Sequence, residues 1–397
     1  MTAPWMKVRV ADVAAPGPNS MATGPFGSSI SSRFFRRSGV PVIRGGNLST
    51  DSAVRINDAN LVFLEPDKAS EFTRSTVRRG DLIFTCWGTI NQVGLIDAAA
   101  GYEEYVISNK QMKLTPNPTV ADSEFLYYLF SAPPMQREIL EGWIGSSIPG
   151  FNLTRLRSLE IELPPLPEQR RIARALSDAE RLEARLDDAI VKKQAIKQGL
   201  MQQLLTGAAR LAGFSDPWRR ATYRDILTIQ RGEVFIVRGQ RTGGPIPVIA
   251  AGRAPAAFTD RANRPGPVIT ISASGASAGY VAFHTTPIFA SDCSTISTSR
   301  SFDLGFIYYG LKLQQDLIYK AQAGGAQPHV HAKDIYPLEV SVPPTVDEQR
   351  AIAAVLADAD LDIAALTRRM IKTQRLKQGM MQQLLSGRVR LPAVAAS

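Results

Sequence analysis

The residue types that could carry out catalysis or bind a metal ion are few in this sequence and lie far apart. The chain contains three histidines, His284, His329 and His331, and two cysteines, Cys86 and Cys293. Structural zinc sites use four such ligands at characteristic spacings, and the closest pair here, His329 and His331, would chelate a metal only weakly. The sequence also contains no Gly-x-Gly fingerprint and no Walker A loop, which are common phosphate-binding motifs. These absences predict a chain with no catalytic residues, no metal site and no bound cofactor.

Side chains that could instead contact a nucleic acid are distributed over two long segments. Arg commonly contacts guanine edges, Asn and Gln contact adenine edges, and most other Lys and Arg contacts are made with phosphate. The candidates in residues 1–160 are Arg33, Arg36, Arg37, Arg44, Asn91, Gln92, Lys110 and Gln111. The candidates in residues 214–340 are Arg238, Arg241, Arg253, Ser274, Ser277, Arg300, His329 and His331. For each of them the competing interpretation is an ordinary solvated surface side chain.

The charge of the chain is compatible with a polyanionic partner. The formal net charge is +10, yet residues 1–162 are neutral and the whole excess lies beyond them. A basic protein attracts nucleic acids, although net charge also serves solubility.

No apolar run approaches the ~18 residues of a membrane span, and the first residues lack the apolar region of a signal peptide. With one cysteine in each half, a disulfide framework is not expected, and we expect a cytoplasmic protein without membrane contacts.

One segment of the sequence occurs twice, at a constant offset of 180 residues. Residues 168–211 and 348–391 share 23 identities in 44 positions, and the run KQGxMQQLLxG is almost unchanged. Each copy follows a Pro-Pro pair, and WMKVRVADV at Trp5 is similar to WRRATYRDI at Trp218. A period of this length exceeds that of any solenoid repeat, so the chain is a tandem of two large halves.

The segments between the repeats predict mixed α/β domains. Strand-like apolar stretches, bounded by Gly and Pro, begin at Val40, Gly80, Pro267 and Thr286. Helical patterns begin at Glu124 and Gly305. The predicted organisation is a first globular domain at 1–162, a first helical spacer at 163–213, a second globular domain at 214–341 and a second helical spacer at 342–397.

Each repeated segment predicts one long helix. The first is expected from Pro167 to Leu205, which is 39 residues or roughly 58 Å of helix. Thr345 and Glu348 have the spacing of a capping box at the start of the second. Gly207, and the equivalent glycine of the second copy, supply the stop signal.

Apolar residues recur at intervals of three and four along both helices. Such a seam requires a long partner helix, and the other copy is the simplest candidate, in an antiparallel arrangement. The alternative is that each helix packs only on its own globular domain. The seam of the first copy is Ile172, Leu176, Ala179, Leu182, Leu186, Ile190, Ile196, Leu200 and Leu204. That of the second is Ile352, Leu356, Ala359, Ile363, Leu366, Met370, Leu376, Met380 and Leu384.

Several polar positions are also identical in the two copies, which a merely solvated face would not require. They predict a surface that is used twice, either for helix pairing or for binding two copies of one partner. The residues proposed for pairing or partner binding are Glu168, Gln169, Ile172, Lys197, Met201, Gln202, Leu204, Glu348, Gln349, Ile352, Lys377, Met381, Gln382 and Leu384.

The order of these segments resembles the DNA-specificity subunit of type I restriction–modification systems. The junction PPLPEQRRIA and the helix end KQGLMQQLLTG are hallmarks of that family, and similar motifs occur again in the second half. GDLIFTCWGTINQVG, ISNKQMKLTP and FLYYL are similar to its first target-recognition domain. The second domain departs more, because Gly266-Pro267 replaces Gly80-Asp81 and the junction PPTVDEQRAIA has one extra residue. The resemblance covers nearly the whole chain.

This resemblance implies an α+β fold with two target-recognition domains, joined by two long helices in a pseudo-two-fold antiparallel coiled coil. It implies a non-catalytic chain that reads a bipartite, asymmetric target in double-stranded DNA, one half-site for each domain. It also implies two modification (methyltransferase) subunits docked on the helices and restriction motor subunits that join them. S-adenosylmethionine, Mg²⁺ and ATP would then be bound by those partners.

Two alternatives remain open from the sequence. The chain could be the recognition subunit of a methylation-only or related system. It could also be a coiled-coil assembly scaffold whose globular domains bind proteins. DNA binding that weakens steeply with salt would distinguish a DNA reader from such a scaffold, because phosphate contacts release counterions.

Overall fold

The computed structural model describes residues 4–88, 91–141, 151–235, 242–324 and 327–391. Within it the chain divides into two units, one formed by residues 1–185 with 369–397 and the other by residues 186–368. Each unit therefore combines one of the divergent segments with a part of each repeated segment.

The first unit contains the following elements. Its strands are β1 (Met6–Arg9), β2 (Met21–Thr23), β3 (Val40–Ile43), β4 (Val62–Leu64), β5 (Thr76–Arg78), β6 (Leu82–Thr85), β7 (Val93–Leu95), β8 (Glu104–Ile107), β9 (Gln111–Leu114) and β10 (Glu160–Leu163). Its helices are α1 (Pro66–Ser70), α2 (Ser123–Ser131), α3 (Pro133–Glu141), α4 (Leu153–Ser158) and the first part of α5 (Leu166–Leu204). Short 3₁₀ turns lie at Val10–Val13, Gly27–Ile30, Ser32–Phe34, Gly45–Asn47 and Thr73–Ser75.

These strands pair in three sheets. β1 and β10 form an antiparallel pair, which joins the start of the domain to the residues that lead into α5. The antiparallel sheet β2-β9-β6-β7 lies beside the mixed sheet β4-β3-β8-β5, in which β3 and β8 run parallel. β6 is buried along its whole length, as its continuous apolar run predicts.

The second unit repeats this plan with fewer strands among its described residues. Its strands are β11 (Arg219–Thr222), β12 (Leu227–Arg231), β13 (Thr242–Ile249), β14 (Ala257–Thr259), β15 (Val268–Ser272), β16 (Val281–His284), β17 (Phe289–Ala290), β18 (Cys293–Thr298) and β19 (Glu339–Val342). Its helices are α6 (Tyr223–Ile226), α7 (Leu304–Leu313), α8 (Gln315–Lys320), α9 (Ala332–Ile335), the second part of α5 and the first part of α10 (Val346–Leu384), with a 3₁₀ turn at Gly275–Ser277.

The sheets of the two units correspond strand by strand. The pair β11-β19 matches β1-β10, and the sheet β12-β18-β15-β16 matches β2-β9-β6-β7. The sheet β14-β13-β17, with β13 and β17 parallel, matches β4-β3-β8. The weak sequence similarity of the two globular segments therefore reflects one fold used twice, which the repeat predicted.

The main core of each unit is built from its globular domain together with both long helices. In the first unit, Ile172 and Leu176 of α5 and Leu384 of α10 share a buried cluster with the aromatic residues of α2. In the second unit, Leu204 of α5 and Ile352 of α10 share the corresponding cluster with α7. The helices therefore pack both on a globular domain and on each other.

The two long helices run antiparallel in each unit. Lys377 of α10 contacts Glu180 of α5 in the first unit, whereas Lys197 of α5 contacts Asp360 of α10 in the second. Lys193, one turn before Lys197, pairs with Asp362, so residue numbers rise along one helix as they fall along the other. The predicted antiparallel pairing is confirmed.

The predicted elements agree with the structure in most places. The stretches that begin at Val40, Gly80, Pro267 and Thr286 contain β3, β6, β15 and β17. The helix predicted from Gly305 is interrupted at Gln314, which separates α7 from α8. Thr345 accepts a hydrogen bond from the Glu348 amide at 3.3 Å, but the Glu348 carboxylate binds Arg210, so the capping box is only half formed.

The predicted seam is wrong at one position in each helix. Ile196 and Leu376 are 49% and 59% exposed. Further along, Met201 and Met381 are buried, each one residue after a predicted seam position, Leu200 or Met380, that is only half-buried.

Candidate functional site

The turn that follows β15 in the second domain is held by a short series of backbone hydrogen bonds. The amide of Ala273 donates to the carbonyl of Asp292 at 3.4 Å, and the amide of Val330 donates to the carbonyl of Ala273 at 3.1 Å. These bonds bring together the end of β15, the residue before β18 and the residues that lead into α9.

The turn that follows β6 in the first domain is held in the same way. The amide of Cys86 donates to the carbonyl of Lys110 at 2.7 Å, and the amide of Phe151 donates to the carbonyl of Cys86 at 2.9 Å. These three residues therefore match, in order, the three residues of the second domain. The equivalence comes from the hydrogen bonds and strand registers rather than from sequence identity.

In both domains a glycine follows the first strand of the same sheet, Gly24 after β2 and Gly232 after β12. A Cβ atom at Gly24 would lie 1.9 Å from the carbonyl oxygen of Ser108, and one at Gly232 would lie 2.1 Å from that of Ser291. No side chain fits at such distances, so glycine permits this close backbone approach.

Three of the candidates named from the sequence line one cavity of about 440 Å³ in the second unit, namely Ser274, His329 and His331. The hydroxyl of Ser274 donates a hydrogen bond to Oδ2 of Asp292, which also lines the cavity. The rings of the two histidines are parallel, with centroids 6.0 Å apart. Arg231, at the end of β12, adds a cation. The sequence analysis missed Asp292 and Arg231, although both lie at the ends of strands.

The remaining candidates of the second domain are more dispersed. Ser277 lies in the 3₁₀ turn after β15 and is half-buried. Arg253 is exposed and lies 5.3 Å from the ring centroid of Tyr280. Arg300 is exposed in the turn between β18 and α7. Arg238 and Arg241 lie outside the described residues.

The arginine candidates of the first domain lie near β3. Arg33 and Arg37 are exposed. Arg36 forms an ion pair of 2.7 Å with Glu65, which leaves less of its guanidinium for a ligand. Arg44 is half-buried, donates to the carbonyl of Asn60 at 3.1 Å and lines a second cavity of about 360 Å³.

The other candidates of the first domain surround the turn after β6. Lys110 is exposed and Asn91 is half-buried. The side-chain amide of Gln92 donates to the carbonyl of Leu48 at 2.9 Å. Gln111 is fully buried and accepts a hydrogen bond from Ser108. Its side chain therefore does not reach the surface, where DNA would bind.

The sequence analysis also missed two exposed aromatic side chains of the first domain, Phe26 and Trp87. Trp87 directly follows Cys86 in the turn after β6. An aromatic residue in a glycine-rich turn was the signal that could have indicated it, because such rings commonly contact bases or sugars.

The identical residues at the start of each long helix bind within the protein. Glu168 is 3% exposed and accepts a hydrogen bond of 2.6 Å from Nε of Arg390, whose guanidinium lies 5.9 Å from the ring centroid of Trp5. Gln169 accepts from the amide of Asp122 at 2.8 Å and donates to Pro164. It therefore joins the start of α5 to the N-terminus of α2.

The second copy reproduces these contacts with its own residues. Glu348 is 1% exposed and accepts from Nε of Arg210 at 2.7 Å and from the indole of Trp218 at 3.2 Å. Gln349 accepts from the amide of Asp303 at 2.8 Å. Glu168, Gln169, Glu348 and Gln349 are thus fixed by internal hydrogen bonds.

Lys197 and Lys377 occupy equivalent places in the two units. Nζ of Lys197 lies 2.5 Å from Oδ1 of Asp360, whose second oxygen accepts from the hydroxyl of Tyr309 at 2.8 Å. Nζ of Lys377 lies 3.4 Å from Oε1 of Glu180. Sequence reasoning missed these acids because they are Glu in one copy and Asp in the other.

Glu180 is held from the globular domain as well. Its Oε2 accepts from the hydroxyl of Tyr128 at 2.8 Å and from Arg55 at 3.0 Å. Burial together with the neighbouring carboxylate raises the pKa of Tyr128 above its usual range, against the opposing charge of Arg55. This network fixes the first globular domain to α5.

The apolar pairing candidates are buried. Ile172, Met201 and Leu204 of α5 lie in the cores, and so do the equivalent residues of α10, which are Ile352, Met381 and Leu384.

The glutamines of the shared helix end behave differently. Gln202 and Gln382 are exposed, so they do not take part in helix pairing. Gln198 and Gln378 are exposed as well, and so are the apolar residues Val191 and Ile371. At 100° per residue these residues fall on one side of each helix, and they form what we call the repeated helix face, whose glutamines are identical in both copies and whose apolar residue is Val191 in one and Ile371 in the other.

Comparison with known proteins places the chain in a family. The type I restriction modification DNA specificity domain matches residues 32–192 and again residues 215–374. The chain therefore belongs to the family of type I restriction–modification DNA specificity proteins, with two copies of the defining domain.

Relatives with specific names are distant in sequence. A Methanocaldococcus jannaschii protein, provisionally named as the MjaX specificity subunit of a type I restriction enzyme, is 23% identical over 390 residues, covering 89% of this chain and 88% of that protein. The EcoBI specificity subunit of Escherichia coli is 22% identical over 175 residues, covering 43% of this chain and 36% of its own length.

Solved structures share the fold over the full length. The type I restriction–modification S subunit of M. genitalium has a TM-score of 0.67 at 17% identity, with 98% of this chain and 97% of that chain covered. A chain from a study of the assembly and conformational transition of the type I system has a TM-score of 0.53 at 17% identity, with 98% and 100% covered. The predicted α+β architecture is confirmed.

Two negative findings concern the described residues alone. None of their helices combines the length and apolar character needed to cross a membrane. No group of three or more His, Cys, Asp or Glu side chains within them has the arrangement of a metal site.

Proposed function

We propose that this chain is the DNA-reading subunit of a type I restriction–modification complex and that it recognises a bipartite, asymmetric duplex target. The observation that carries this proposal is the repetition of one domain fold with different residues at equivalent positions. Equivalent turns would enter DNA in equivalent ways, while unlike side chains would read unlike half-sites.

Charge supports DNA as the ligand. Exposed cations near the equivalent turns or on the same domains include Arg33, Arg37, Lys110, Arg253 and Arg300. Contacts of this type with phosphate position a protein on the duplex, while residues at the turns contact base edges.

The repeated helix face supports two copies of one protein partner. Internal packing explains the identity of Glu168, Gln169 and Lys197 with their counterparts, but Gln198 and Gln202 have no hydrogen bond from their side chains within the described residues. Exposed glutamines that are identical in both copies, beside an exposed aliphatic residue in each, suit a partner that binds twice. We assign this face to two modification subunits.

The chemistry would then reside on the partners. S-adenosylmethionine would be bound by the modification subunits, and Mg²⁺ and ATP by restriction subunits that join the complex. The chain itself would be non-catalytic and would supply target selection and assembly. Its place in the cell would be the cytoplasm, where the DNA and these partners are found.

Binding to random duplex DNA followed by sequencing tests the reading function. The full chain with its modification subunits should enrich a motif of two short half-sites separated by a gap of unspecified bases. Affinity should fall linearly on a logarithmic scale as salt concentration rises. Enrichment of no motif, with binding that is insensitive to salt, would refute the proposal and favour a protein scaffold.

The helix face has a separate test. Replacing Gln198 and Gln202 with Glu should weaken the binding of one modification subunit, and the same change at Gln378 and Gln382 should weaken the other. Mass measurement should therefore find one bound modification subunit for either double variant, against two for the wild type. The double variant Arg185→Gln/Gln203→Glu is a matched surface control, because it lowers the charge of α5 by the same two units at exposed positions away from the repeated helix face. Two bound subunits in both double variants would contradict this assignment.

A further inference from the structure

The equivalent turns of the two domains carry side chains of opposite charge. Lys110 of the first domain and Asp292 of the second occupy equivalent backbone positions. The carbonyl of Lys110 accepts a hydrogen bond from the residue after β6, and the carbonyl of Asp292 accepts one from the residue after β15. Lys110 is exposed, and Asp292 is half-buried in the cavity with Ser274 and His329. A lysine there suits phosphate or guanine, but a carboxylate does not.

A carboxylate on a DNA-facing surface is unfavourable unless it meets a hydrogen-bond donor, because phosphates repel it. In the major groove the donors are the exocyclic amino groups of cytosine and adenine, and acidic side chains are suited to accept from them. The position of Asp292 therefore implies that the second domain contacts a base that presents an amino group.

The orientation of the carboxylate is set before any ligand binds. Ser274 is 6% exposed and its hydroxyl donates to Oδ2 of Asp292. Among the described residues this is the one side-chain hydrogen bond that Asp292 receives, so Oδ1 keeps its capacity to accept. Such pre-organisation lowers the entropic cost of a contact.

The rest of the cavity is compatible with a base edge. The parallel rings of His329 and His331 and the guanidinium of Arg231 line it, and they supply the donors that would satisfy acceptor atoms or a nearby phosphate. A volume of about 440 Å³ admits the edge of a base together with water.

We propose that Asp292, oriented by Ser274, is a specificity-determining residue of the second domain, which accepts a hydrogen bond from the exocyclic amino group of a cytosine or adenine in its half-site. This inference rests on the proposed DNA-reading function. The second domain would then present a hydrogen-bond acceptor to DNA at the position where the first domain presents the donor Lys110.

The test measures binding of the full chain, in complex with its modification subunits, to the motif enriched by the wild type. Each adenine of the second half-site is replaced in turn by 2-aminopurine, and each cytosine by 2-pyrimidinone, which removes the amino group from the major groove. At one position the wild type should lose roughly 5- to 150-fold in affinity. Asp292→Ala should bind the normal and the altered duplex equally. The identity of the base at that position shows whether Asp292 accepts from a cytosine or from an adenine.

Two further variants keep the test decisive. Asp316→Ala removes the same charge from an exposed position of α8 and should retain the full discrimination. If Asp292→Ala does not fold, Asp292→Glu keeps the acceptor and should keep the penalty for the missing amino group, whereas its loss would count against the proposal.

The outcomes separate this inference from the proposed function. An equal penalty in the wild type and in folded Asp292→Ala, or no penalty at any position of the second half-site, would overturn the role of Asp292 while DNA reading stands. If the wild type enriches no motif at all, the proposed function itself fails.

Discussion

Cys86 and Cys293 lie directly beside the turns that carry the candidate base contacts, one in each domain. Both are buried, and the thiol of Cys293 donates to the carbonyl of Ile249 at 3.4 Å. Burial raises the pKa of each thiol to about 12. A thiol that remains protonated packs as a small apolar group and is a poor nucleophile.

The thiols should therefore be unreactive in the folded protein. At pH 9 an aromatic disulfide reagent should modify them at least about 100-fold more slowly than in the urea-unfolded chain, because the thiolate is the reacting species. The absorbance of the aromatic thiolate that the reagent releases, followed over time, gives both rates. Equal rates in folded and unfolded protein would show that the sites are open.

The same pKa values predict a pH dependence of stability. In the folded protein the pKa of each thiol lies above its ordinary value of 9.0. Its contribution to stability is therefore complete below pH 9 and is lost as pH rises from 9 towards 12. The free energy of unfolding of the wild type should fall more steeply across that window than that of the Cys86→Ala/Cys293→Ala variant. Parallel pH profiles of the two proteins would contradict the prediction.

At the scale of elements, the long helices are fixed by equivalent lysines in unequal surroundings. Lys377 lies 3.4 Å from Glu180 and 3.1 Å from Glu183, and all three side chains are at most 15% exposed. Within the described part of the chain, the one ion pair of Lys197 is with Asp360, whose side chain is 40% exposed. Residue 363, which is equivalent to 183, is Ile, so the second carboxylate belongs to one copy alone.

These surroundings predict unequal effects of the same substitution. Lys377→Met should lower the free energy of unfolding by about 2 kcal/mol, because it removes the cation that contacts Glu183 and leaves Glu180 paired with Arg55 alone, with both carboxylates largely shielded from water. Lys197→Met should cost less than about 1 kcal/mol, since water screens Asp360. Urea denaturation followed by circular dichroism measures both. A larger loss for Lys197→Met would show that burial does not set the strength of these pairs.

At the scale of the whole molecule, one domain fold is used twice and the residues that differ are concentrated in the globular segments. The helices contribute the same residue types to both cores, such as Ile172 and Leu204 in one copy and Ile352 and Leu384 in the other. Any domain that packs on the helices must therefore make these same contacts.

This arrangement predicts that the domains can be exchanged. Replacing residues 1–162 with the corresponding domain of a relative should change one half-site of the methylated motif and leave the other unchanged. The incoming domain must keep equivalents of Trp5 and Tyr128, which contact Arg390 and Glu180. Methylome sequencing of cells that carry the hybrid and its partners provides the measurement, and exchange of residues 214–341 is the reciprocal control. A change in both half-sites would refute the assignment of one domain to each.

Local sequence signals determined the elements and their order. The helix expected from Pro167 to Leu205 is observed from Leu166 to Leu204, because proline, an acidic first turn and glycine act within a few residues of each end. The strands β3, β6 and β15 were predictable for the same reason, since their apolar runs end at Gly or Pro. The repeat itself indicated an antiparallel pair of helices and a family resemblance that the domain matches bear out.

Tertiary structure alone decided which side chains are available for function. Gln111 has the residue type of a base reader but is buried and bonded to Ser108. Asp292 was not a candidate until the pairing of β15 with β18 brought its carboxylate within hydrogen-bonding distance of Ser274. Ile196 fits the helical seam, yet it is exposed because residues distant in the chain determine which face of α5 is covered. Periodicity specifies that a face is apolar, but contacts over more than a hundred residues specify what lies against it, and those contacts are not encoded in any local pattern.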